Sequence, residues 1–87
     1  MVIGQVLDSI WCTRKDESLV GQKFMTVKLL DKDDPKDGDI IVAVDIIGAG
    51  AGEKVLITMG SSARRSRELD NAPVDAIIVG IIDEKSE

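Results

Sequence analysis

The sequence has no histidine and no tyrosine, and Cys12 is the only cysteine among its 87 residues. One cysteine cannot form an internal disulfide, and the lack of histidine removes the commonest metal ligand and general base. A domain of this size buries only about 60–65% of the surface that its unfolded chain exposes, so its own core gives modest stability. Contact with a partner subunit is therefore the remaining source of additional burial.

Aromatic residues are also scarce, and acidic residues outnumber basic ones. Trp11 and Phe24 are the only aromatic side chains, and the formal net charge is −5. An acidic chain with so few stacking side chains is a poor ligand for nucleic acid or for an anionic membrane. The sequence contains no run of roughly 18 apolar residues that would span a membrane. Residues 1–5 lack the pattern of a signal peptide, and we predict a cytoplasmic protein.

The apolar residues recur with the period of strands. Met25, Val27 and Leu29 alternate with Phe24, Thr26 and Lys28, as in a half-buried strand. The apolar run 40–45 is typical of a strand covered on both faces. Five such segments are predicted, over residues 2–12, 23–30, 40–45, 54–59 and 76–82.

These segments predict one all-β domain over residues 1–87, a small five-stranded OB-like β-barrel. One short helix is predicted before the last strand, over residues 61–69. Ser61 or Ser62 would cap it, and Pro73 would prevent its extension.

A glycine-rich segment, Gly48-Ala49-Gly50-Ala51-Gly52, separates the third and fourth strands. Dinucleotide-binding loops use glycines in this way, but they lead into a helix whose N-terminus receives the phosphate. Here Glu53 would repel phosphate, and a strand follows. We therefore predict no cofactor, and instead a tight turn with positive φ or a close approach to the backbone of a neighbouring subunit.

The segment Gly60-Ser61-Ser62-Ala63-Arg64 combines serine with arginine, but no histidine is available to activate a nucleophile. A strand end followed by a capped helix accounts for it more simply. Arg64, Arg65 and Arg67 form a basic cluster that would be either a solvated surface or a contact with an acidic neighbour.

The carboxylates do not form a recognisable catalytic or metal-binding set. Asp45 and Glu53 could pair as acid and base, although acceptance of hydrogen bonds from loop backbone is the commoner role. The aspartates of residues 31–39 do not match a calcium-binding EF-hand loop, because Lys36 and Val42 occupy its glycine and glutamate positions. Cys12 is predicted to be buried in the first strand beside Trp11. The sequence therefore predicts neither an enzyme nor a metal site.

Four ordered blocks of the sequence resemble one family. They are Cys12-Thr13-Arg14-Lys15 with Leu19, Gly21 and Lys23; Ala43-Val44-Asp45 followed by the glycine segment and Glu53; Gly60-Ser61-Ser62-Ala63-Arg64; and Pro73-Val74-Asp75 followed by residues 78–83. The chain is similar, over nearly its whole length, to the vertex proteins of bacterial microcompartment shells, the EutN/CcmL family.

The resemblance implies a homo-pentamer at the corners of a polyhedral shell, in contact with hexameric and trimeric shell proteins. It also implies that the glycine segment and the turn after it lie at the subunit contacts or the five-fold axis. The residues concerned are Asp45, Gly48, Ala49, Gly50, Gly52, Glu53, Gly60, Ser61, Ser62 and Arg64. The alternative is an OB-type binding module for single-stranded nucleic acid or another ligand.

Overall fold

The computed structural model describes residues 1–13, 15, 17–31, 37–60 and 74–83, and they form a closed five-stranded β-barrel. The strands are β1 (Val2–Ile10), β2 (Lys23–Leu29), β3 (Ile40–Asp45), β4 (Lys54–Met59) and β5 (Ala76–Ile81), with a 3₁₀ turn at Glu17–Leu19. Strands β3 and β4 have the bounds predicted from the sequence, while the other three end one or two residues earlier. The all-β fold and its barrel are confirmed.

The strand order around the barrel is β1-β2-β3-β5-β4, and β4 pairs with β1 to close it. All of the neighbours are antiparallel except β3 and β5. That parallel pair is short, with Val44 opposite Ile77 and Asp45 opposite Ile78. Closure of the sheet reduces the backbone edge available to strands of other chains, although β3 and β5 pair at only two positions.

The barrel interior is filled by aliphatic side chains, as the scarcity of aromatic residues requires. Met25, Val27 and Leu29 are buried on one side of β2, as their alternation predicts. The interior cluster comprises Val6, Met25, Val27, Leu29, Ala43, Ala49, Val55, Ile57, Ala76 and Ile78. A second, smaller cluster of Val44, Val74 and Ile77 packs with Leu19, Phe24, Ile46 and Val79.

Gly4 permits the close packing of β1 against its two neighbouring strands. A Cβ atom at this position would overlap the side chain of Val27 and would lie 3.0 Å from Ile57 Cδ1 and 3.1 Å from the Lys28 carbonyl oxygen. Leu7 is an extra residue in the β1–β2 pairing, because Val6 lies opposite Val27 and Asp8 lies opposite Thr26. Such bulges bend a strand and help a small sheet to close.

The outer side of β3 corrects one prediction. Its continuous apolar run indicated a strand covered on both faces, yet Ile40 and Val42 are exposed. They lie opposite Lys28 and Thr26 of β2 on the outside of the barrel, where nothing in the described chain covers them. Period and hydropathy alone cannot distinguish a strand covered by its own chain from one covered by another.

The prediction for Cys12 is wrong. Strand β1 ends at Ile10, so Trp11 and Cys12 follow it and are exposed. The predicted helix over residues 61–69 lies outside the described residues. Within the described part of the chain, no helix has the length and apolar character needed to cross a membrane.

Candidate functional site

The carboxylate of Asp45 organises the start of the glycine segment. Asp45 is the last residue of β3, and its side chain is fully buried. Its Oδ1 accepts hydrogen bonds from the backbone N–H groups of Ile47 and Gly48 at 3.0 and 3.1 Å, and its Oδ2 accepts one from Ala49 at 2.9 Å. These three bonds fix the direction in which the chain leaves the barrel.

Lys23 contributes much less to holding Asp45. Its Nζ lies 3.8 Å from Asp45 Oδ2, and its side chain is 55% exposed. An ion pair of this length with one partner in solvent is worth about 0–1 kcal/mol, whereas each hydrogen bond to a charged group is worth about 1.5–3 kcal/mol. The backbone N–H groups are therefore the main partners of Asp45.

Glu53 closes the other end of the same segment. Its Oε1 accepts a hydrogen bond of 2.6 Å from the Gly50 N–H, and its own N–H donates to the Gly50 carbonyl at 3.2 Å. Gly52 N–H donates to the Val6 carbonyl at 2.8 Å, and Val6 N–H donates to the Glu53 carbonyl at 2.9 Å. These two bonds attach the segment to β1, so Asp45 to Glu53 form one ordered loop, which we call the glycine loop.

Only two glycines of the loop require glycine's backbone freedom. Gly48 and Gly52 have φ angles of 84° and 86°, in the left-handed region that other residues rarely adopt. Gly50 is not in that region, and a Cβ there would make only an ordinary contact, 3.5 Å from Glu53 Oε1. A positive φ angle was one of the two requirements predicted for this segment. It is found at Gly48 and Gly52, the two ends, and not at Gly50.

Gly60 follows β4 and also has a positive φ angle, 76°. Its N–H donates to the carbonyl of Asp75, just before β5, at 2.8 Å. Ser61, Ser62 and Arg64, which the resemblance places beside it, lie outside the described residues. The structure therefore brings together Asp45 to Glu53 in one loop and joins Gly60 to the start of β5.

The chemistry available to the glycine loop is that of a rigid structural element. Both of its carboxylates accept hydrogen bonds from loop N–H groups, as the commoner of the two interpretations predicts. In the part of the chain that the structure describes, no group of three or more His, Cys, Asp and Glu side chains is placed to hold a metal ion. All buried side-chain nitrogen and oxygen atoms of that part have hydrogen-bond partners.

The exposed apolar surface is the feature that the sequence reasoning missed. Trp11 is 91% exposed and Val42 is 51% exposed. An apolar groove of about 380 Å³ lies beside Val42, between the outer sides of β2 and β3 and the start of β5. Trp11 lines an adjoining cavity of about 400 Å³ that shares Ile10 and Phe24 with the groove. The missed signal was the apolar character of both faces of β3.

Comparison with known protein families gives one extended match. The family described as ethanolamine utilisation protein EutN/carboxysome matches residues 1–83. The bacterial microcompartment shell vertex protein GrpN of Rhodospirillum rubrum is 43% identical over 83 residues, 95% of this chain and 93% of GrpN. The shell vertex protein EutN of Escherichia coli is 40% identical over 84 residues, 97% of this chain and 88% of that protein.

Solved structures give the same relationship. The pentameric microcompartment shell protein GrpN from Rhodospirillum rubrum superimposes with a TM-score of 0.81 at 41% identity, covering 95% of this chain and 94% of that one. The TM-score with CcmL of Gloeobacter violaceus is 0.84 at 40% identity, covering 95% of this chain and 86% of that one. The barrel of this chain is thus similar to the folds of these shell proteins.

Proposed function

This chain belongs to the EutN/CcmL family, and from that premise we propose that it is a structural subunit that caps the vertices of a bacterial microcompartment shell. The observation that carries the proposal is the match over residues 1–83, with about 40% identity to several shell vertex proteins. The closed barrel supports it, since closure of the sheet reduces the backbone edge available for nonspecific strand pairing with other chains.

The assembly that fits this role is a homo-pentamer. A related shell protein of the same fold is pentameric, and a closed polyhedral shell needs five-fold corners to bend sheets of hexagonal tiles. In such a ring one patch of each subunit contacts a different patch of the next subunit. A partner subunit also supplies the extra apolar burial that a domain of 87 residues lacks.

The glycine loop and the Gly60 turn are the segments that we expect at or near the subunit contacts and the central axis. Two features favour the glycine loop. Its backbone is held by Asp45 and Glu53, so little conformational entropy would be lost on docking. Its small residues also permit close approach of another backbone. The same placement is proposed for Ser61, Ser62 and Arg64.

The remaining partners follow from the location in a shell. We expect the pentamer to contact hexameric and trimeric shell proteins along its outer rim, within the bacterial cytoplasm. The role is structural and not enzymatic, in line with the shell proteins to which the chain is related. No observation favours the alternative of a barrel that binds single-stranded nucleic acid.

Native mass spectrometry tests the ring. A subunit mass of 9.4 kDa gives 5 × 9.4, or about 47 kDa, for a pentamer. A dominant species of that mass supports the proposal, and a stable 9.4 kDa monomer at micromolar concentration contradicts it.

The vertex role is tested by expressing a hexameric shell protein with and without this chain. Electron microscopy should show closed polyhedra only when the chain is present, and open sheets or tubes in both samples would exclude the role.

A further inference from the structure

The outside of the barrel carries two apolar surfaces on different sides. One covers the seam between β2 and β3, and the other covers the seam between β1 and β4. In the closed order β1-β2-β3-β5-β4 these seams share no strand. We call the first the groove face and the second the β4 face.

The groove face consists of rows of side chains that cross the strands. Phe24 lies between Ile10 and Val44 in one row, and Thr26 lies beside Val42 in the next. The apolar side chains of these rows line the 380 Å³ groove. Its apolar walls are formed by Ile10, Leu19, Phe24, Val42, Val44 and Val74.

The β4 face has the same construction on the other seam. Gly4 and Val6 point into the barrel, so Ile3 points outward, opposite Leu56 of β4. Leu56 is in turn opposite Gly80 of β5, which has no side chain to cover it. A trough of about 530 Å³ adjoins this row, lined by Gln5, Gly52, Glu53, Lys54, Ile81, Ile82 and Asp83.

The charges at the borders of the two faces are complementary. Lys15 lines the groove and its adjoining cavity, Lys23 lines that cavity, and Asp75 lines the groove, so two lysines face one carboxylate and this border is net positive. Glu53 and Asp83 border the trough beside Lys54, so that border is net negative. Interfaces commonly have this composition, with aromatic and aliphatic side chains at the centre and charged groups at the rim.

We infer that the groove face of one subunit packs against the β4 face of a second copy of this chain, with Trp11 at the edge of the contact. The inference rests on the proposed ring, and it adds which surfaces close that ring. A ring needs two different and mutually complementary patches on each subunit, and these two faces supply an apolar pair with opposite border charges. Glu53 would then bring one end of the glycine loop to the contact.

Val42→Asp and Ile3→Asp test the two faces separately. Each places a charge on an exposed position, where it would be desolvated only by a docked neighbour. Each should reduce the mass in native mass spectrometry from about 47 kDa to 9.4 kDa, with an unchanged circular dichroism spectrum. Val20→Asp is the matched control, because Val20 is 65% exposed and lines neither the groove nor the trough. It should leave the ring intact.

Mixing the two variants tests whether the faces contact each other. The Val42→Asp subunit keeps its β4 face, and the Ile3→Asp subunit keeps its groove face. An equimolar mixture can therefore form one intact contact and no more, so sedimentation at several hundred micromolar should show a heterodimer of 2 × 9.4 kDa. Each variant alone should remain monomeric. A mixture that stays monomeric would exclude direct contact between the two faces.

The fluorescence of Trp11, the single tryptophan, needs no variant. Acrylamide should quench it several-fold less in the ring than after dilution to monomers, and equal quenching in both states would contradict the inference.

A wild-type protein that is monomeric throughout would instead contradict the proposed ring itself. If the ring forms but survives Val42→Asp or Ile3→Asp, or if Val20→Asp also dissociates it, the assignment of the faces is wrong and the ring stands. Survival of the ring in the Val42→Asp variant is also the result expected if another segment or a shell tile covers the groove.

Discussion

At the scale of single residues, Asp45 decides how the chain leaves the third strand. Among the described residues it is the one buried charged residue, and its side chain is fully buried. A buried carboxylate is costly unless hydrogen bonds replace its lost hydration. Three backbone N–H groups supply them here, and they would themselves lack partners if the carboxylate were removed. Its structural role therefore follows from mutual dependence between side chain and loop.

Asp45→Ala should destabilise the barrel strongly. It leaves the N–H groups of Ile47, Gly48 and Ala49 without their acceptor, and we expect a loss of about 2–4 kcal/mol in the free energy of unfolding. In a domain of this size that loss lowers Tm by about 8–32 °C. Denaturant unfolding followed by circular dichroism measures the loss.

Lys23→Ala is the matched control for Asp45→Ala, because it removes the ion pair at 3.8 Å and leaves the three hydrogen bonds in place. It should cost less than about 1 kcal/mol. Equal losses in the two variants would mean that the ion pair, and not the backbone N–H groups, holds the carboxylate.

At the scale of the element, the glycine loop is rigid at its two ends for reasons of backbone geometry. Gly48 and Gly52 occupy the left-handed region, and Gly52 also donates to Val6 of β1. Gly50, between them, is held through Glu53 and has room for a Cβ. The three glycines are thus not equivalent, although the sequence spaces them evenly.

Substitution by alanine should separate these roles. Gly48→Ala and Gly52→Ala each place a Cβ in a left-handed conformation, which costs about 1–2 kcal/mol. Thermal unfolding should therefore show a lower Tm for both. Gly50→Ala should leave the stability of the subunit nearly unchanged, and a comparable loss there would contradict the geometric argument. A folded Gly50→Ala subunit that fails to assemble would place this glycine against a neighbouring subunit.

At the scale of the whole molecule, stability and assembly are linked. The subunit has a small aliphatic core and exposes Trp11, Ile40 and Val42. Burial of these side chains in a ring would add to the stability of every subunit, and assembly stabilises the folded state by mass action.

The Tm of the wild-type protein should consequently rise with protein concentration. For a pentamer that dissociates as it unfolds, each tenfold increase in protein concentration adds about 1.1 kcal/mol per subunit to the free energy of unfolding. This is four fifths of the roughly 1.4 kcal/mol that a tenfold change is worth. That corresponds to a rise in Tm of about 4–8 °C in differential scanning calorimetry. The Val42→Asp variant should show no such dependence. A wild-type Tm that is independent of concentration would indicate that the subunits unfold without a change in their association.

The sequence by itself determined the strands, the closed barrel and the family. Alternation along β2 and the punctuation by glycine and proline are local properties, and they predicted all five strands to within two residues. The ordered blocks from Cys12 to Asp83 predicted the family that the match over residues 1–83 confirms. The hydrogen-bonding role of Asp45 and Glu53 was also predicted, because loop carboxylates beside glycines have few other partners.

Tertiary structure alone decided which side chains remain outside. The exposure of Cys12, Trp11 and Val42 depends on where β1 ends and on which strands lie next to β3, and neither is encoded in the local pattern. An apolar side chain has the same hydropathy whether its own chain or a neighbour covers it. The closed order β1-β2-β3-β5-β4 puts the groove face and the β4 face on different seams, because closure of the sheet, and not the spacing of residues, sets their positions around the barrel.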